Sequence, residues 1–322
     1  MKIKKITLIF TSLLFLFLSN NVSAEEDSIK ILCSNAVLAD FTSNLIKENV
    51  SINHIMPGGA CPSHFDITPG DIEKCINADV VISLGYETWL EPLINNSGNI
   101  DVKQIKCTDL GEWSLPSNAV KFVEKIRDEL IILYPEQLNT IKINAEEYIA
   151  LINQTNQALK NMITKMGYKN RQVICIIWQK DFVENLGFEI IASYAPPESL
   201  SFQDQINIAN TATNKNICAI IDNLQSGTEF GERISEKTDV SHVIFTNFPG
   251  AINNVDTYID QITYNTAELV KGIIIFDYKK DIEIDSLQNQ KSDIELQRNT
   301  SMIIAVIMLI LTIVLLMMYK RK

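Results

Sequence analysis

The chain has 322 residues, with 28 Lys and Arg against 39 Asp and Glu and a formal net charge of −11. That length allows two domains of ordinary size, and the acidic balance argues against nucleic acid or an anionic membrane surface as partner. The six cysteines and three histidines leave metal binding and disulfide formation as the open chemical questions.

The amino terminus reads as a processing segment. Lys2, Lys4 and Lys5 precede the apolar run Ile6 to Leu18, and Val22-Ser23-Ala24 has the small residues of a signal-peptide cleavage site. Residues 1–24 are expected to be removed. No cysteine closes the apolar run, so no lipid anchor is expected there.

Ile29 to Cys33 reads as a strand, Val37 to Ile46 as a helix and Ser51 to Met56 as a second strand. Next comes Pro57-Gly58-Gly59-Ala60-Cys61-Pro62-Ser63-His64, a loop shaped by Pro and Gly that holds a thiol and an imidazole three residues apart. Thr68-Pro69-Gly70-Asp71 starts a helix. Ala78 to Leu84 reads as a buried strand, Tyr86 to Leu93 as a short helix, and Val102 to Cys107 as a strand. Strands alternating with helices imply a parallel sheet, whose ligands sit beyond the carboxyl ends of the strands. Cys33, Cys107 and the loop after Met56 all fall at such ends.

Pro116 to Leu133 is an expected helix. A longer one follows from Pro135 to about Met166, with an apolar stripe of Leu138, Ile141, Ala145, Tyr148, Ile152, Thr155, Leu159, Met162 and Met166. At 1.5 Å per residue it makes a rod of roughly 45 Å. After Gly167 the alternation resumes, with strands at Gln172 to Ile177, Phe188 to Tyr194, Cys218 to Ile221 and His242 to Phe245. The intervening helices are Lys180 to Leu186, Asp204 to Thr213 and Glu229 to Thr238, and Tyr258 to Gly272 closes the lobe. Cys175 and Cys218 lie in apolar runs and read as buried small hydrophobes. His54 and His242, in or beside strands, read as structural.

Residues 277–301 are polar and mixed in charge, the composition of a tether. Met302 to Tyr319 has no charge and is followed by Lys320-Arg321-Lys322. A helix of that length spans about 27 Å, close to the hydrocarbon thickness, and the basic tail would stay cytoplasmic. The expected organisation is a signal peptide (1–24), an N-terminal α/β lobe (25–134), a linking helix (135–167), a C-terminal α/β lobe (168–276), a tether (277–301), a transmembrane helix (302–319) and a cytoplasmic tail (320–322). The fold class is therefore α/β, two lobes with parallel sheets joined by one long helix, plus a C-terminal transmembrane helix.

The order and spacing of several segments resemble the zinc/manganese family of solute-binding proteins of ABC importers. Ala36-Val37-Leu38-Ala39-Asp40, the loop Pro57 to His64, Thr68-Pro69-Gly70-Asp71, Leu84 to Leu90, Trp113 with Pro116 to Ala119, and Tyr258 to Asn265 carry the likeness, which covers nearly all of residues 28–275. The resemblance implies an extracytoplasmic receptor that captures a transition-metal ion, zinc, manganese or a softer one, and delivers it to an ABC permease in the membrane. It also implies a site of four side chains. His64 matches the first. The second falls at Gly111, the third near Ser193 to Ala195 and the fourth near Asn247, so this chain departs from the pattern at three of the four.

Three readings of the site stay open. In one, Cys61 and His64 of the loop, with Cys33 and Cys107 at neighbouring strand ends, form a rebuilt metal site suited to zinc, copper(I) or another soft ion. Cys33, Cys61, Cys75 and Cys107 could equally form one or two disulfides. In another, the ion arrives chelated, against walls of Trp113, Trp178, Gln179, Lys180 and Tyr194. In the last, the scaffold serves as an adhesin or accessory receptor that binds no metal. There is no Gly-x-Ser-x-Gly, P-loop or His-Glu-x-x-His, so the chain does not read as an enzyme. A monomer is expected.

Overall fold

The computed structural model describes residues 28–214 and 216–320. The expected signal peptide lies outside them. The chain divides into two compact units, the first comprising Met1–Ala158 and Thr246–Ile262, the second Leu159–Phe245 and Thr263–Lys322.

In the first unit, β1 (Ile29–Asn35), β2 (Val50–Met56), β3 (Val80–Ser83) and β4 (Lys103–Lys106) form one parallel sheet in the order β2-β1-β3-β4. The chain leaves β1 towards one edge and returns past it to β3. The carboxyl ends of β1 and β3 are therefore the switch point at which open α/β sheets bind ligands. β3 is buried along its whole length, as an apolar run between two neighbours requires. The helices here are α1 (Ala36–Leu45), α2 (Pro69–Ile76), α3 (Leu90–Ser97) and α4 (Pro116–Leu133). Asn35 caps α1, its Oδ1 accepting from the Leu38 N–H at 3.0 Å.

Where helix starts differ from expectation, a local hydrogen bond explains it. The helix expected from Tyr86 begins at Leu90. The Glu87 carboxylate accepts from the N–H groups of Leu84, Gly85 and Tyr86, and this holds the segment as a turn. α5 (Leu138–Lys165) buries Ile141, Ala145, Tyr148 and Ile152 in its first-unit portion and Leu159 and Ile163 in its second-unit portion. Met166, expected on the stripe, is exposed, and Ile163 takes the buried place.

The second unit repeats the plan. β5 (Gln172–Ile176), β6 (Glu189–Tyr194), β7 (Ile217–Asn223) and β8 (Ser241–Phe245) are parallel in the order β6-β5-β7-β8. α6 (Lys180–Leu186), α7 (Phe202–Ala212) and α8 (Glu229–Lys237) connect them.

α9 (Tyr258–Lys320) is a single helix of 63 residues. Expected to end at Gly272, it continues because that glycine serves close packing: a Cβ there would lie 2.4 Å from Val243 Cγ2 of β8. Asp277 is held by a paired contact from Arg171, at 2.6 and 3.2 Å. From residue 281 to 300 every side chain is exposed, and the backbone of the expected tether is helical. Among the described residues no helix is long and apolar enough to cross a membrane. The span expected over 302–319 therefore finds no support in the structure; its backbone is helical, and most of its side chains lie outside the description.

A carboxylate organises the first unit. Asp40 of α1 accepts from the Tyr148 hydroxyl of α5 at 2.7 Å and from the Tyr258 N–H at the start of α9 at 3.1 Å. Burial raises the Asp40 pKa, although both donors pull it down. Asp40→Ala leaves these donors without their acceptor and is expected to cost about 2–3 kcal/mol, with Tyr148→Phe costing about 1 kcal/mol. The midpoint of urea unfolding at unchanged slope reads both.

Thr68 and Asp71 close a capping box at the start of α2: the Asp71 N–H donates to the Thr68 hydroxyl oxygen, and Asp71 Oδ2 accepts from the Thr68 N–H at 3.0 Å. Burial opposes ionisation of Asp71, but its Thr68 donors and Lys74 outweigh it, so its pKa is lowered from 3.8. A depressed carboxylate pKa contributes stability that is complete above the unfolded value and is lost as pH falls through the folded one. Asp71→Asn is thus expected to flatten the acid limb of a stability–pH curve below 3.8, and Thr68→Ala to cost about 1 kcal/mol at neutral pH.

Candidate functional site

The loop between β2 and α2 is built by short local bonds. The Ala60 N–H donates to the Pro57 carbonyl at 3.0 Å, and the His64 N–H donates to the Cys61 carbonyl at 3.1 Å, closing a single 3₁₀ turn over Pro62–His64. The loop is pinned at both ends. Gly58 sits against Pro249, Gly250 and Ala251, where a Cβ would fall 2.4 Å from the Pro249 carbonyl oxygen. Phe65 packs edge-on to Trp89 with ring centroids 5.0 Å apart, and Phe65 and Ile67 join the core beneath. Between these anchors His64 is exposed and Cys61 half-buried, both on one turn.

The other two sequence candidates are placed differently. Cys33 is fully buried in β1, its Sγ 3.8 Å from the Thr42 hydroxyl. Burial pushes its pKa up to about 12. Cys107 follows β4, donates its N–H to the Ser83 carbonyl at 2.8 Å, and is likewise pushed up to about 12 by burial. Burial at both positions disfavours the thiolate, the form that ligates metals. All six cysteines are free thiols, so none of the disulfides left open by the sequence is formed. Among the described residues, no three His, Cys, Asp or Glu side chains are grouped to hold a metal ion.

The position two residues before Trp113 disfavours a side chain. Gly111 has φ +79°, and a Cβ on it would lie 2.4 Å from Asn118 Nδ2. Asn118 is itself fixed, donating to the Glu112 carbonyl at 3.2 Å and accepting from Lys121 Nζ at 2.9 Å. Trp113 is buried; its indole N–H donates to the Asn247 carbonyl at 2.7 Å, and its ring lies against Phe248 at 5.3 Å. It is a packing residue here, not a wall.

In the second unit, Tyr194 turns inward. Its hydroxyl donates to Asp222 and lies 2.9 Å from the Ile221 carbonyl oxygen, and burial, then Asp222, raises its pKa. Asp222 Oδ2 accepts from the Gly231 N–H at 2.9 Å and lies 2.7 Å from His242 Nε2. His242 is thus structural, as expected. This buried Tyr–Asp–His group is the polar feature that sequence reasoning missed; its signal was an aspartate directly after the apolar run of residues 217–221. Gln179 is buried, Lys180 pairs with Glu184 at 3.9 Å, and Trp178 is exposed.

Comparison with known proteins adds to this geometry. The chain is 25% identical over 281 residues to the manganese-binding lipoprotein MntA of Halalkalibacterium halodurans, covering 78% of this chain and 90% of that protein. It is 24% identical over 201 residues to the iron ABC transporter substrate-binding lipoprotein MtsA of Streptococcus pyogenes, covering 53% of this chain and 65% of that one. Its fold matches the manganese-bound periplasmic metal binding protein of Candidatus Liberibacter asiaticus with a TM-score of 0.64 at 21% identity, covering 76% of this chain and all of that one. A crystal structure of ZnuA matches with a TM-score of 0.63 at 17% identity, over 78% of this chain and 99% of that one. Residues 31–272 match the family described as ZnuA, zinc-uptake complex component A, periplasmic, and with most of both units inside that match the chain belongs to this family.

Proposed function

We propose that this protein captures a transition-metal ion, free or as a small complex, and hands it to an ABC permease. The observation that carries the reading is the His64 loop, an exposed imidazole and a half-buried thiol on one hydrogen-bonded turn beyond the carboxyl end of β2 in a chain of the ZnuA family. Membership in that family, and relatives named for manganese and iron binding, support a metal as cargo. His64 and Cys61 are the proposed ligands; the burial of Cys33 and Cys107 keeps these two out of the first set. Two side chains fill about half of a four-coordinate shell. Further donors come from elsewhere in the chain or from ligands that travel with the ion.

His64→Ala is expected to strip co-purifying metal to background, with Cys61→Ser lowering it several-fold; elemental analysis of the purified variants measures both. Unchanged metal in His64→Ala would remove the loop from the site. Wild-type protein free of metal after exposure to zinc, manganese, iron and copper(I) salts would instead favour an adhesin or accessory receptor on this scaffold.

The proposed location is the outer face of the cell membrane, as a monomer held by residues 302–319. Support comes from the eighteen uncharged residues Met302 to Tyr319, which belong to the continuous helix α9, and from the basic Lys320-Arg321-Lys322 after them. Truncation after Ser301 is expected to move the protein from the carbonate-resistant membrane fraction to the soluble one. A truncated chain that stays with the membrane would show that another segment holds it.

A further inference from the structure

The two units share one topology, so their helices correspond: α2 and α3 connect β2 to β3 and β3 to β4, as α7 and α8 connect β6 to β7 and β7 to β8. α2 packs directly on α3, whereas α7 and α8 meet far less. Between them lies an open groove of about 280 Å³. Its apolar part is Ile206 and Ala209 of α7 with Phe230 and Ile234 of α8. Phe230 in turn stacks edge-on against Tyr194, 5.2 Å away, so the floor rests on the fixed Tyr194–Asp222 group.

Arg233 and Lys237, one helical turn apart on α8, line the same groove. Both are exposed, no ion pair holds either among the described residues, and no acidic side chain lines the groove. In a chain with an excess of acidic residues, this places two cations beside an apolar trough. A carboxylate set between a guanidinium and an ammonium gains charge-assisted hydrogen bonds, and an apolar body behind it gains burial.

From this we infer that the α7–α8 groove is a second binding site, separate from the His64 loop, for a small amphipathic carboxylate. The apolar body lies over Phe230 and Ile234, and the carboxylate meets Arg233 and Lys237.

The test uses the full chain in zwitterionic lipid nanodiscs, titrated with 3-phenylpropionate and with its neutral amide, 3-phenylpropanamide, by calorimetry. Saturable binding of the carboxylate is expected, weakened about tenfold or more for the amide and in the R233Q/K237Q double variant. Ala209→Trp, which fills the groove from α7, is expected to block it. Both variants change groove-lining residues, and circular dichroism confirms their fold. No saturable binding to wild type, equal affinity for the amide, or undiminished binding in R233Q/K237Q would each overturn the inference. Unchanged metal content in R233Q/K237Q is expected, which keeps this test separate from that of the metal site.

Discussion

The first unit depends on one half-buried carboxylate. Asp40 sits on α1, yet its Oδ2 receives donors from two helices far away in sequence, through Tyr148 of α5 and Tyr258 of α9. A carboxylate in apolar surroundings is costly unless donors surround it. The donors it gathers belong to the two long helices, α5 and α9, that run on past the limits of the unit. Phe41, next in the chain, puts its ring within 6.2 Å of Phe122 and Tyr148 and 5.2 Å of Tyr258, so the polar clamp and the aromatic packing fix the same elements. The α/β frame holds the candidate loop, and this clamp holds the frame.

Much of the fold was legible because apolar periodicity and breakers coincide. Pro116–Leu133 and Lys180–Leu186 have the ends expected of them, where Pro opens one and Gly187 in the left-handed region closes the other. The family likeness drawn from residues 28–275 is matched by residues 31–272. The misses have physical causes. The Glu87 carboxylate competes with a helix start through bonds that periodicity does not register. Gly272 looks like a helix end and is in fact a contact point with β8. The polar end of β7, Asp222 and Asn223, is buried through partners that come from other elements.

The candidate site was legible only where it is local. Cys61 and His64 share one turn because Pro62 and the Pro57 to Ala60 turn shape it, and three-residue spacing is enough to see this. Cys33 and Cys107 looked comparable as strand ends. Whether a strand-end side chain faces the core or the solvent depends on the helices packed over the sheet, and both thiols face inward. The same applies to Tyr194, open to a wall or a core role in the sequence, which turns inward and satisfies Asp222.

Gly111 carries a consequence for how this chain can change. A histidine placed there meets two obstacles at once, a backbone in the left-handed region and the Asn118 amide in the space its Cβ needs. Asn118 is in turn engaged with Glu112 and Lys121. No single substitution clears both, so a ligand placed at this point alone gives a less stable protein. A coordinating side chain at residue 111 therefore requires a second change at Asn118, and a position free of both constraints would take one at lower cost.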